Sequence, residues 1–396
     1  MSLAELLTEL RAEPIECAEA RSAAEFDRIA SPYQDRVVIF GTAFLGEVAL
    51  AGLRRAGIEP LAFCDNNANK WNTEIDGVCV LPPAEAVRQY GDSAAFVVAI
   101  YNSTKPRQQL RDLGCTRIVP YPVLFWKHWR TMPREDRLEL PHRILRRASE
   151  MAAGYDLLDD ERSRQEFCAQ IRWRCLLDYN CLPAPDPASE MYYPRGLVQL
   201  MWDEVLVDCG AFDGDSIRLF LEKSGGAFGR IYALEADPKN FAALESNQRT
   251  LAAGVAERIE LLPYAVAGHD GVLRFSAEGD TGSRVAETGP AIELPCRKLD
   301  TLLKDAHPTF IKMDIEGAEP DALEGGREVM AKHRPVMAVC AYHKCDHLWT
   351  LPQLLKAGNP DYRIFLRRYA EDCWETVFYA IPPERLPVDT GDAKTS

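Results

Sequence analysis

Short, near-continuous apolar runs recur along the chain in two separate trains. In the first train they are "RVVIF" (36–40), "EPLAFCD" (59–65), "AAFVVAI" (94–100) and "TRIVP" (116–120). The stretch "GTAFLGEVALAGLRRAG" takes up a helical period directly after the first run. Runs of this length read as strands buried on both faces, and their alternation with helices predicts βαβ units in a parallel sheet. A first, smaller Rossmann-like α/β domain is therefore expected over 1–125. From "YPVLFWKHWR" to about residue 180 the pattern turns helical, most clearly in "DDERSRQEFCAQIRWRCLLDYN". The segment "CLPAPDPASEMYYPRG" (181–196), rich in Pro and polar residues, reads as a linker or lid. A helical connector and linker are expected over 126–191.

The second train begins at "EVLVDCGAFDGDS" (204–216) and continues through "RIYALEAD" (230–237), "RIELLPYAV" (258–266), "TFIKMDIE" (309–316) and "RPVMAVCAYH" (334–343). Two further runs, "YRIFLRRYA" (362–370) and "ETVFYAIPP" (375–383), lie close enough together for a hairpin. The expectation is an α/β domain over 192–385 with five parallel strands and a terminal hairpin. The tail over 386–396, ending "VDTGDAKTS", is expected to be disordered.

Composition narrows the function classes. The chain has 396 residues, 47% hydrophobic and 27% charged, which is ample for two soluble domains. A net charge of -14, with no Lys/Arg stripe, argues against a nucleic-acid partner. No apolar run is long enough to cross a membrane, and "MSLAELLTELRAEP" is a charged amphipathic start rather than a signal peptide. Twelve scattered Cys without a CxxC pair suggest free thiols in a reducing, cytoplasmic setting. A homo-oligomer is compatible with all of this.

The loop "VLVDCGAFDGDS" places Asp208 late in a strand, then Gly210 and Ala211 at the turn. Asp213, Gly214, Asp215 and Ser216 stand where a helix begins. In a doubly wound sheet the ligand sits at the carboxyl ends of the strands. A phosphate-cradling turn needs bare N–H groups, whereas this one carries acid; that favours the cationic sulfonium of S-adenosylmethionine over a dinucleotide. Taken alone, the loop could be a plain strand-to-helix turn capped by Asp215 or Ser216. Glu235, 27 residues after Asp208, ends the second strand together with Ala236, where a carboxylate grips a ribose diol. Tyr264, Ala265 and Val266 are placed by position beside the adenine.

The series "VDCGAFDGDS", "YALEADPKNFAALESN", "PYAVAGHDGVLRF", "GSRV", "CRKLDTLL" and "TFIKMDIEGAEPDALEGG" resembles, in order and spacing, the FkbM family of S-adenosylmethionine-dependent methyltransferases. The resemblance covers Tyr192 to Pro382. It implies a class I methyltransferase fold with a seven-stranded sheet, and methyl transfer to a hydroxyl of a sugar, polysaccharide or natural product. It also implies Asp208, Gly210 and Glu235 as cofactor contacts, and Asp314, Glu316, Gly317 and Glu319 as an acidic motif on the fourth strand.

Acceptor-side groups should come from the ends of the fourth and fifth strands. Residues two apart on a strand share a face, so Asp314 and Glu316 would point into one cleft. Glu319 would sit in the first turn of the next helix, favoured by the dipole. His343, at the end of the fifth strand, is the expected general base, with Asp314 orienting it or the acceptor. A divalent metal on Asp314, Glu316 and His343 is the alternative. A zinc set of Cys340, His343, Cys345 and His347 is disfavoured because alternation separates Cys340 from His343.

In the first domain, "VVIFGTAFLGEVALAG" carries Gly41 and Gly46, with Ala43 at the central position of GxGxxG. That departure weakens a dinucleotide reading. Asp65, 24 residues after Gly41, is spaced for a ribose contact. "FCDNNANKWNTEIDGVCVLPPAEAV" resembles nucleotide-sugar-binding domains of sugar acyltransferases and N-terminal extensions of some FkbM proteins. A nucleotide or nucleotide sugar is the ligand this implies; a packing or dimerisation domain is the other reading. The rivals to a methyltransferase are an NAD-dependent oxidoreductase using the first domain, and a sensor that only binds S-adenosylmethionine.

Overall fold

The computed structural model describes residues 2–133, 136–275 and 292–387. The "GSRV" segment (282–285) and the "VDTGDAKTS" tail lie outside the described residues. The chain divides into two compact units. One comprises Met1–Ala148, Cys168–Ala184 and Ala370–Trp374; the other comprises Ser149–Phe167, Pro185–Tyr369 and Glu375–Ser396. The segment expected as a helical connector and linker over 126–191 is divided between the two units. Among the described residues no helix is long and apolar enough to cross a membrane.

The first unit runs α1 (Leu3–Arg11), α2 (Ile15–Ala30), β1 (Val37–Phe40), α3 (Phe44–Arg55), β2 (Ala62–Cys64), β3 (Glu74–Ile75) and β4 (Val78–Leu81). It continues through α4 (Pro83–Tyr90), β5 (Ala95–Val98), α5 (Thr104–Asp112), β6 (Ile118–Pro120), α6 (Tyr121–His128) and α7 (Pro141–Arg146). Its strand order is β3-β4-β2-β1-β5-β6, all parallel except the β3–β4 pair. Alternate residues feed two cores: Val37, Ile39, Val97 and Phe63 pack with Phe26 and Leu53, while Val38, Phe40, Phe96 and Val98 pack with Ala86 and Leu110. Both faces are covered, which is why these strands read as unbroken apolar runs. The apolar pattern misses β3 and β4. Their signal is "DG": Asp76 and Gly77 both have positive φ, 46° and 80°, as a two-residue type I′ turn requires.

Two helices follow, α8 (Ala148–Tyr155) and α9 (Glu161–Leu176). The second unit then runs β7 (Val205–Cys209), α10 (Asp215–Lys223), β8 (Arg230–Leu234), α11 (Pro238–Gln248), α12 (Ala253–Ala256), β9 (Ile259–Leu262) and β10 (Ala265–Val266). After β11 (Gly271–Phe275), β12 (Ile292–Arg297) and α13 (Leu299–Leu302) come β13 (Phe310–Met313), α14 (Glu319–Glu324), α15 (Arg327–His333) and β14 (Val336–Cys340). The described elements close with α16 (His347–Gly358), β15 (Arg363–Arg368) and β16 (Thr376–Ile381). The seven-stranded sheet has the order β15-β16-β14-β13-β7-β8-β9, with β16 antiparallel to both neighbours. Strand order reverses at β7, so the carboxyl edge between β7 and β13 is the switch point where ligands collect in open α/β sheets. The expected single strand over 258–266 is corrected. It breaks at Pro263, which has no N–H to continue a ladder, and β10 joins a separate small sheet with β12 and β11.

Candidate active site

One rim of the switch point is built on β7 and β8. Gly210 has φ 82°, and a Cβ there would lie 1.9 Å from the Asp314 carbonyl oxygen, so only glycine fits. The Gly210 and Ala211 N–H groups both donate to the Leu234 carbonyl at 3.0 Å, which fastens the turn to the end of β8. At the start of α10, Asp215 Oδ1 accepts the Ser216 N–H at 2.7 Å, and Asp213 pairs with Arg218 at 2.9 Å. Glu235 follows β8; its two oxygens accept the Phe212 N–H at 2.9 Å and the Asp237 N–H at 2.8 Å. Burial pushes its pKa up, and those two N–H groups oppose the shift. Ala236 and Tyr264 are half-buried and Ala265 is buried, with the Arg297 guanidinium 5.2 Å from the Tyr264 ring centre.

Asp208 requires a correction. It is 0% exposed, paired with Lys312 Nζ at 3.0 Å and hydrogen-bonded by the Ser216 hydroxyl. Lys312 also donates to the Gly210 carbonyl at 2.6 Å. Asp208 therefore braces the loop from beneath instead of presenting a ligand contact. Burial raises its pKa against the opposing Lys312 charge. Burial alone would lower the Lys312 pKa, but Asp208 and Asp314 outweigh it and hold the ammonium above its usual value.

The opposite rim comes from the ends of β13 and β14. Strand β13 stops at Met313, so the shared-face argument for Asp314 and Glu316 does not hold. They meet by another route: Glu316 takes a left-handed φ of 54°, and both carboxylates turn toward His343. His343 Nε2 lies 3.2 Å from Asp314 Oδ1 and 3.7 Å from Glu316 Oε2. Its Nδ1 is 2.7 Å from Glu319 Oε1. Glu319 is the first residue of α14, but it is 0% exposed and also accepts the Ile315 N–H at 3.1 Å, so it anchors the histidine as well as the helix. Tyr192 donates to Asp314 Oδ2 at 2.9 Å, and Tyr342 reaches Asp314 Oδ1 at 3.3 Å.

His343, the expected general base, lies between carboxylates on both of its ring nitrogens. Burial alone would lower its pKa, but Glu319, Asp314 and Glu316 together raise it well above the usual value. A carboxylate at each nitrogen favours the charged imidazolium. Asp314 is correspondingly held below the usual carboxylate range, His343 and Lys312 overcoming its burial. Glu375, which precedes β16, is pushed up to about 7 by burial and by Asp314. The Cys340, His343, Cys345, His347 set does not assemble. Among the described residues, the group of three close enough to share an ion is Asp314, Glu319 and His343, with ligand atoms within 4.8 Å of one another.

Sequence reasoning missed Lys312, Tyr192, Tyr342 and Glu375. Lys312 had a signal, being a lone cation inside the apolar run "TFIKM" and in register with Asp208 on β7. In the first unit, Asp65 Oδ2 accepts the Thr42 N–H at 3.1 Å and its hydroxyl, and Oδ1 accepts the Asn67 N–H at 2.8 Å. Lys70 donates to Thr42 Oγ1 at 2.9 Å. A Cβ on Gly46 would lie 2.1 Å from the Gly41 carbonyl oxygen, so the helix start packs directly on the turn.

The strand order and the position of this site define the second unit as a class I methyltransferase fold. Residues 208–362 match the family model described as "Methyltransferase FkbM domain", the family that the motifs resemble. A curated relative, the 2-O-methyltransferase NoeI of Sinorhizobium fredii, is 27% identical over 173 residues, covering 37% of this chain and 68% of the relative. The crystal structure of methyltransferase FkbM from Methylobacillus flagellatus superposes with a TM-score of 0.74 at 23% identity, covering 96% of this chain and 98% of that one. That likeness shows the fold along nearly the whole length.

Proposed function

We propose that the protein transfers a methyl group from S-adenosylmethionine to a hydroxyl of a sugar, polysaccharide or natural product. The observation that carries the reading is the meeting of two differently built rims at one carboxyl edge. The Gly210 turn with Glu235 suits the donor, and Asp314 with Glu316 faces the acceptor. The relative named as a 2-O-methyltransferase supports oxygen as the atom methylated. In this reading Glu235, already fixed by two N–H groups, grips the ribose hydroxyls, and Tyr264 and Ala265 flank the adenine. The acceptor oxygen attacks the methyl carbon in line as the C–S bond breaks, leaving S-adenosylhomocysteine as a neutral thioether. The hydroxyl proton passes to the Glu316 carboxylate, while Asp314, held below the usual carboxylate range, orients the acceptor. His343, held charged by Glu319, positions both carboxylates.

Titration calorimetry tests this. Saturable binding of S-adenosylmethionine and S-adenosylhomocysteine is expected, with Glu235→Ala weakening both at least tenfold. No binding of either would overturn the reading, and binding of NAD instead would establish the oxidoreductase alternative.

A further inference from the structure

A second concave surface lies in the first unit. Its strand order turns back at β1, with β2 on one side and β5 on the other, so the carboxyl edge between β1 and β5 is that sheet's switch point. A cleft there is lined by Leu45, in the first turn of α3, and by Val98 and Ile100 at the end of β5. Trp173, Tyr179 and Trp374 add aromatic rings, and every lining residue belongs to the first unit.

Two buried side chains of that lining have an unused polar atom. Asp372 is 7% exposed; its Oδ2 accepts the Ser103 N–H at 2.8 Å and hydroxyl at 2.6 Å, while its Oδ1 accepts no hydrogen bond from the described residues. Trp173 is 4% exposed, and its Nε1 donates to none of the described residues. Buried polar atoms left this way are costly, and a ligand can satisfy them. Charge limits which ligand that is. Among the described residues that line the cleft, Asp372 is the ionic one, so a phosphate is repelled. An ammonium is opposed by Arg107, whose Nε donates to the Ser103 hydroxyl at 3.1 Å and whose guanidinium already covers the Tyr179 ring at 3.5 Å. In the Gly41 turn, the Thr42 N–H donates to Asp65 Oδ2 at 3.1 Å, unlike the bare N–H groups of a phosphate cradle.

We propose that this cleft binds an uncharged sugar ring. Its C–H face stacks on the aromatic side chains, one hydroxyl donates to Asp372 Oδ1, and another oxygen accepts from Trp173 Nε1. This departs from the nucleotide that the Gly41 and Asp65 spacing suggests. Only the sugar's role, as part of the methyl acceptor, rests on the methyltransferase reading.

Saturation-transfer difference NMR on the full-length chain tests the site. The probes are methyl glycosides of glucose, mannose, fucose and N-acetylglucosamine, with UDP and adenosine as competitors. We expect saturation to reach the ring C–H protons of at least one glycoside, and neither competitor to displace it. Trp173→Phe keeps a ring but removes the N–H, and Asp372→Asn turns an acceptor into a donor. Each should weaken that glycoside by about tenfold or more, while S-adenosylmethionine binding stays at the wild-type level. If Asp372→Asn loses its melting transition, Trp173→Phe supplies the comparison. No transfer to any glycoside, displacement by UDP or adenosine, or wild-type affinity in the variants would overturn the site. Glycoside binding without S-adenosylmethionine binding would uphold it and count against the methyltransferase reading alone.

Discussion

In one unit β1 runs through Gly41 into α3; in the other β7 runs through Gly210 into α10. Both glycines have positive φ, 110° and 82°, and at both a side chain would strike a neighbouring strand's carbonyl, Ala99 O at 2.6 Å and Asp314 O at 1.9 Å. In both, the acid after the second strand folds back onto the turn, Asp65 to the Thr42 N–H and Glu235 to the Phe212 N–H. The divergence lies across the switch point. Strand β5 is followed by Ala99, Ile100, Tyr101 and Asn102, whereas β13 and β14 are followed by Asp314, Glu316 and His343. Among the described residues, the cluster of three that could share an ion occurs in the second unit. A strand–glycine–helix loop with a following acid is therefore a scaffold, and the chemistry is set by what the strands beyond it deliver.

The sharpest break in that comparison is to fill the two turns. Gly210→Val must relieve both a left-handed backbone and a contact with Asp314, at a cost of about 2–5 kcal/mol. S-adenosylmethionine binding should fall more than 100-fold by calorimetry. Gly41→Val should lower thermal stability comparably yet leave that binding within about twofold; equal losses in both variants would erase the distinction between the two loops. Lys312→Met comes next. It removes the partner of a fully buried carboxylate, and breaking such a pair costs about 3–5 kcal/mol. A lowered denaturant midpoint and weaker S-adenosylmethionine binding are expected, with Lys312→Met/Asp208→Leu recovering part of the stability but not the binding.

How much of this was legible in the sequence also differs between the two regions. Strands β1, β2, β5 and β6, and the seven strands of the larger sheet, announced themselves as apolar runs; in the central ones burial on both faces leaves no polar alternation, while the edge strands β6 and β9 are half-buried. The two-residue β3 and the partly exposed β4, β11 and β12 did not, and β10 was read as the end of a longer strand. The turn position of Gly210 and the strand-end position of Glu235 could be placed from spacing alone, since one loop and one strand end define them. The cluster around His343 could not. Glu316 reaches His343 through a left-handed turn, and Tyr192 and Glu375 arrive from segments 122 residues before Asp314 and 32 residues after His343. Asp208 misled because late-strand acids read alike whether they face a ligand or a buried lysine.

The two strand-end acids offer a milder contrast. Glu235→Gln keeps one acceptor oxygen but replaces the other with a donor facing the Phe212 or Asp237 N–H. A loss of about tenfold in S-adenosylmethionine affinity is expected. Asp65→Asn makes the equivalent change beside Thr42 and should leave that affinity unchanged while softening the first unit by about 1 kcal/mol in a urea melt. A reversed pattern would place donor binding in the first unit.

The smallest effect expected is in acid. His128 on α6 packs edge-on against Phe26, ring centres 5.5 Å apart, and its buried Nε2 has no hydrogen-bond partner. Burial, helped by Lys127, lowers its pKa below 6.5 against the pull of Asp27. A histidine depressed in the folded state binds fewer protons there than in the unfolded chain. Its contribution is therefore present above pH 6.5 and is lost as pH falls through the lowered value. Between pH 7 and pH 5 the wild type should lose more thermal stability than His128→Phe, by a few degrees in the midpoint, because the phenyl ring keeps the contact and has nothing to protonate. Parallel pH profiles for the two proteins would mean that His128 is protonated as easily in the folded unit as out of it, and that burial in the first unit does not govern its titration.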